Sequence, residues 1–170
     1  MASFDLAIPI TLAHEGGFFH NPTTGEVVNR GITLATLRSL GVLHTSGPPT
    51  TADIAFVRGL TLDEVEQIYR EQYWDKLSLD QIKDQEVAAK VFDLAVNMGV
   101  VTAARILQQA VGVPVDGIVG PHTIGAANAA NPLILLSDIR TVASARYQQI
   151  AAANPALAED LPGWLSRLES

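Results

Sequence analysis

The chain of 170 residues carries 18 Asp and Glu, four His and no Cys, so proton transfer by carboxyl groups is the first chemistry open to it. Most of these acids fall on the polar faces of expected helices, where a solvated charge is the ordinary state. Glu15 is different. It follows an apolar stretch and precedes Gly16-Gly17-Phe18-Phe19, where the glycines let the backbone turn sharply and the aromatics can partly cover the side chain. A partly buried carboxyl can hold its proton at a pH where an exposed one does not, which is what a general acid needs.

Other chemistries find little support. His14-Glu15 lacks the second His of a zinc-protease helix, and His20, His44 and His122 have no ligand spacing, so no metal site is expected. There is no Gly-rich phosphate loop or Ser nucleophile elbow. The absence of Cys removes disulfides and thiolate catalysis, and hydrolysis without a cofactor is the expectation. A formal charge of −7 argues against nucleic acid or an anionic membrane as partner. With 48% hydrophobic and 17% charged residues, the composition is that of a globular protein with its own core.

The elements that must position Glu15 follow from the pattern. Apolar residues recur at helical spacing from Phe4 to His14, with Ser3 as cap and Pro9 expected to kink the helix or delay its start. Phe18 to Asn29, with Asn21-Pro22 and Gly25 at its centre, has the signature of a β-hairpin. Thr33 and Gly41 bracket a short helix, Leu34 to Leu40, and residues 44–52 form a loop. Thr61-Leu62-Asp63-Glu64 is a capping box for a helix reaching Tyr73. A further helix starts near Asp84 and breaks at Asn97-Met98-Gly99. Others cover Thr102 to Val111, Pro121 onward after an Asp116-Gly117 turn, Pro132 to Ala153, and a short segment from Pro162. No βαβ alternation appears, so a mainly α domain with one small hairpin near the amino terminus is expected.

The run His14-Glu15-Gly16-Gly17-Phe18-Phe19, then Asn21-Pro22, then Asn29-Arg30-Gly31-Ile32-Thr33, resembles the opening motif of glycoside hydrolase family 108, phage and bacterial lysozyme-like muramidases. Asp93 to Gly99, Ala104 to Gln108 and Asp116 to Thr123 resemble the predicted peptidoglycan-binding segment that accompanies that family. The Glu-Gly-Gly element is moderately specific, the Asp-Gly-Ile-x-Gly-Pro-x-Thr element is common to several wall-associated modules, and their joint order is the strong signal. The resemblance implies a lysozyme-like fold, a catalytic part over 1–82, a peptidoglycan-binding part over 83–170, and Glu15 as the catalytic glutamate.

The hairpin departs from the family pattern. Members carry an Asp-rich turn and a Thr two residues before the end of the hairpin. Here the turn reads Asn21-Pro22-Thr23-Thr24-Gly25, about one residue short, and Val28 stands near the place of the Thr. Glycosidases of the inverting kind hold a second carboxylate or a water-positioning group roughly 6.5–9.5 Å from the acid, and retaining ones a nearer nucleophile. Glu26 and Thr24 are the candidates for that role, each equally readable as surface charge or turn residue. Asn29, Arg30, Tyr73, Trp74 and Asn97 are candidate substrate contacts. Capping, core packing and salt bridging are the competing roles for these residues.

The expectation is an N-acetylmuramidase, endolysin-like, acting as a monomer on bacterial peptidoglycan in a cleft between the hairpin region and the helical remainder. Met1 to Ala13 lacks the features of a Sec signal, and no apolar run reaches the roughly 18 residues of a membrane span. Synthesis in the cytoplasm and action at the wall after release or export follow. A wall-binding module without activity and a lytic transglycosylase are the alternatives.

Overall fold

The computed structural model describes residues 1–169, which form two compact units. One is Thr11–Tyr69; the other joins Met1–Ile10 to the chain from Arg70 onward. These cuts fall at other places than the 82/83 boundary drawn from the sequence, because the amino-terminal half of the first helix, α1 (Phe4–His14), counts with the helical unit. Pro9 lies inside α1 without ending it. The start of α1 is tied by Gln85, whose side chain accepts from the Ser3 N–H at 2.7 Å and donates to the Ser3 carbonyl at 3.0 Å.

In the hairpin unit, β1 (Phe19–Asn21), β2 (Glu26–Asn29) and β3 (Ile32–Thr33) form an antiparallel sheet in the order β1-β2-β3. The expected hairpin thus gains a third strand. Phe19 pairs with Val28 and Asn21 with Glu26. The Asn21 side-chain oxygen accepts from the Thr23 and Thr24 N–H groups, closing the first turn. Asn29 pairs with Ile32 across a two-residue turn in which Arg30 and Gly31 have φ of 47° and 76°. Two consecutive left-handed residues are the geometry that matches strand twist in a tight hairpin.

Helix α2 (Leu34–Ser39) is capped by Thr33 as expected. Helix α3 (Thr51–Gly59) begins within the last residues of the loop expected over 44–52 and runs past it, and its signal is a capping box between Thr50 and Asp53. Helix α4 (Leu62–Tyr69) begins with the Thr61–Glu64 box. The expected continuation to Tyr73 is a π-helical turn, Arg70–Trp74. A regular helix would set Tyr69 and Trp74 about 140° apart; the widened turn lets both be buried, each 1% exposed.

Asp53 is the buried knot of the hairpin unit, 2% exposed. Its carboxylate accepts from the Thr50 N–H at 2.9 Å and from the Thr45 and Thr50 hydroxyls, both at 2.8 Å, and meets Arg38 at 3.3 Å. The Thr50 backbone hydrogen bond, then that of Thr45, holds its carboxyl below the ordinary 3.8. A depressed folded-state pKa adds stability above the unfolded value and loses it as pH falls through the folded one. The melting gap between the parent and Asp53→Asn is therefore expected to be full at neutral pH and to close as pH drops through 3.8 and below. A gap that stays constant over that window would show that ionisation of Asp53 is not what matters.

The helical unit is organised on α5 (Gln85–Met98), capped by Asp84 and buried from Val87 through Ala95. Phe4, Trp74 and Phe92 meet edge to face with centroids 5.6–5.7 Å apart. Around α5 stand α6 (Val100–Ala110), α7 (Pro121–Ala129) with Pro at its start, α8 (Pro132–Ala153) and α9 (Leu161–Glu169). Arg167 of α9 donates to both oxygens of Asp93 on α5, at 2.9–3.2 Å, and Lys90 donates to the Arg167 carbonyl at 3.3 Å. Burial lowers the Lys90 pKa. Among the described residues no helix is long and apolar enough to cross a membrane.

Candidate active site

Glu15 lies one residue beyond α1, its N–H bonded to the Leu12 carbonyl at 3.2 Å, and its side chain is half-buried. It approaches the backbone at Gly31, beside the Tyr69 hydroxyl. A Cβ built on Gly31 would stand 2.7 Å from the Glu15 Oε2 and would collide with the Tyr69 hydroxyl. The carboxylate therefore seats on the tip of the β2–β3 turn, in space that only glycine leaves open. Position 31 is doubly committed to glycine, since its φ of 76° is also left-handed.

The turn is clamped. Tyr69, buried at the end of α4, donates to the Arg30 carbonyl at 2.9 Å. The Arg30 guanidinium donates to the Leu60 carbonyl at 3.3 Å. Asn29, 3% exposed, donates its amide to the carbonyls of Val57 and Arg58. Arg30 is a side chain in a conformation that costs roughly 1–3 kcal/mol away from glycine, held there by contacts at both of its ends.

This geometry bears on several expectations. Gly16 and Gly17 are expected to let the chain turn sharply after Glu15, but neither has a positive φ and a Cβ on either would meet nothing within 4 Å, so the backbone does not require glycine at either position. They leave open space beside the acid instead. Asn29, buried, and Arg30, half-buried, both hold the turn. Trp74, wedged between Phe4 and Phe92 at 1% exposure, is core and has no ring face free for a sugar. Tyr73, half-buried, and Asn97, exposed at the end of α5, belong to the helical unit. The Asn97 side-chain amide oxygen accepts from the Tyr147 hydroxyl at 2.8 Å.

Glu26 is exposed at the other end of β2, three residues from Asn29 and so about 10 Å along the strand from the turn that seats Glu15, and Thr24 is exposed in the turn that precedes β2. The Thr24 hydroxyl accepts from the Glu26 N–H at 3.4 Å. Both line a cavity of about 770 Å³ with His20, Arg38 and Pro49. Gly31 and Tyr69 are the site residues that sequence reasoning overlooked. The strand pattern on both sides of Arg30-Gly31 was the available signal for the turn; nothing local marks Tyr69.

A mainly helical chain with a small antiparallel sheet, presenting a carboxylate at a helix end against a sheet turn, has the fold of the lysozyme-like class. Residues 8–99 match the family Glycosyl hydrolase 108, and the chain belongs to that family. Residues 102–169 match the family described as Predicted Peptidoglycan domain. No curated protein matches. Among solved structures, that of SagA from Brucella abortus is similar, with 29% identity and a TM-score of 0.77, over 98% of this chain and 89% of the other.

Proposed function

We propose that the protein is an N-acetylmuramidase that cuts the β-1,4 bond between N-acetylmuramic acid and N-acetylglucosamine, with Glu15 as proton donor. The observation that carries this is the seating of the Glu15 carboxyl on the Arg30–Gly31 turn, within a chain of a glycosyl hydrolase family joined to a peptidoglycan segment. Glu15 gives its proton to the glycosidic oxygen as the bond to the anomeric carbon breaks. A water then adds its oxygen to the oxocarbenium-like sugar and releases a proton. The enzyme acts as a monomer, at the wall, after release or export from the cytoplasm.

One observation favours a second reading. Glu26, the nearest carboxylate after Glu15 in the chain, stands at the far end of β2, which suits a lytic transglycosylase that needs no activated water. Mass spectrometry of products from purified peptidoglycan separates the two. Reducing N-acetylmuramic acid ends are expected. Ends of 1,6-anhydro form would select the transglycosylase, and reducing N-acetylglucosamine ends would move the cut to the other bond.

A further inference from the structure

We propose that the faces of α6 and α8 form a groove for the stem peptide of peptidoglycan, with Arg105 and Arg146 taking its carboxylates. The proposal rests on peptidoglycan being the ligand and adds where, and by which chemical group, the helical unit holds it.

Thr102, Arg105, Ile106 and Gln109 recur on α6 at helical spacing, and Val142, Ala145, Arg146 and Gln149 do the same on α8; together they line a cavity of about 290 Å³. A second cavity of about 310 Å³ shares Thr102 and Arg146 with the first and adds Asn97, Tyr147 and Trp164. The two cavities adjoin at these shared residues. No Asp or Glu lines either cavity, in a chain with 18 acids against 11 bases. Arg38, Arg70 and Arg167 each pair with a carboxylate. Arg105 and Arg146, both exposed, have no carboxylate partner among the described residues.

Arg105 is also placed. Its Nε and Cγ lie 3.2 and 3.6 Å from where a Cβ on Gly117 would stand, and Gly117 has a φ of 83°. Gln108, buried, fixes that turn: its amide donates to Asp116 at 2.6 Å and to the Ile118 carbonyl at 3.0 Å, and its oxygen accepts from the Gly117 N–H at 2.8 Å. The Gln108 hydrogen bond is the largest cause holding the Asp116 carboxyl below its ordinary range. The Asp-Gly element, which looks like punctuation, thus builds the floor under an arginine.

The chemistry selects the occupant. A planar guanidinium binds a carboxylate through two parallel hydrogen bonds, and stem peptides carry free carboxylates, whereas the sugar backbone that bears them offers hydroxyls and acetamides, its lactyl carboxyl being held in the amide to the stem. Half-buried Trp164, stacked on Tyr147 with centroids 5.3 Å apart, supplies an aromatic wall for apolar or ring atoms beside them. The net charge of −7 disfavours an extended polyanion on the same groove.

The test measures binding of the full chain, carrying Glu15→Gln to prevent lysis, to purified sacculi before and after an amidase strips the stems, the lactyl carboxyls freed by stripping then being blocked as methylamides with a carbodiimide. Arg105→Gln with Arg146→Gln is expected to weaken binding to intact sacculi by about tenfold or more and to make it indifferent to stripping. Lys76→Gln with Lys83→Gln, exposed in the same unit, removes equal charge and is expected to keep both the affinity and the stem dependence. Equal binding of the parent to intact and stripped glycan overturns the proposal, as does unchanged binding by the arginine variant or equal loss in the lysine variant. If the arginine variant does not fold, competition by a soluble stem tripeptide decides: displacement of the parent from sacculi supports the groove, and none overturns it. Failure here leaves Glu15 catalysis standing, and full lytic activity of Glu15→Gln leaves the groove standing.

Discussion

Glu15→Gln is expected to lose at least about 100-fold of the release of reducing ends from purified sacculi, while melting with the parent. Glutamine keeps the shape of the side chain that seats on the Arg30–Gly31 turn and removes only the transferable proton. The comparison that gives this weight is Glu26→Gln. Glu26 is exposed about 10 Å along β2 from the same turn, and its loss is expected to leave hydrolysis within about tenfold of the parent. Wild-type clearing by Glu15→Gln would sink the assignment. Equal, large losses in both variants would instead make the two carboxylates a working pair across the sheet.

Gly31→Ala is expected to damage stability and activity together, and the two losses are separable. The added methyl meets two obstacles. One is the Tyr69 hydroxyl, fixed by its bond to the Arg30 carbonyl on a buried ring. The other is the Glu15 Oε2 at 2.7 Å, the mobile end of a flexible side chain that gives way by leaving its seat. With the left-handed backbone added, the cost is on the order of 1–3 kcal/mol, read as a lower melting midpoint. Gly31→Ala combined with Tyr69→Phe removes the hydroxyl and is expected to recover part of the stability. It leaves the methyl against Glu15, so the activity is expected to stay lost. Recovery of activity along with stability would mean that Glu15 is not positioned by this contact.

The helices were largely legible because their ends are written in local chemistry. Thr33, Thr61, Asp84 and the prolines at 121 and 132 begin helices where side-chain acceptors and fixed φ demand it. Helix α3 escaped because its box, Thr50 with Asp53, abuts a Gly-Pro-Pro stretch that looks like uninterrupted loop. The site was half legible. Glu15 stands out from its neighbours in sequence, whereas its seat depends on a turn 16 residues on and a tyrosine 54 residues on, distances over which periodicity carries no information. Trp74 was misjudged because an aromatic at a helix end packs a core or lines a cleft with the same local signature; only the ring contacts with Phe4 and Phe92 decide.

The bond from Arg167 to Asp93 crosses a line that family boundaries draw. Asp93 lies in the 8–99 segment, Arg167 in the 102–169 segment, and both sit in one compact unit with α5 at its centre. What is inherited as two cassettes therefore matures as interlocked halves. Separating the second segment from the first would strip α9 of its anchor and leave one charge of the pair without its partner, a penalty of about 3–5 kcal/mol.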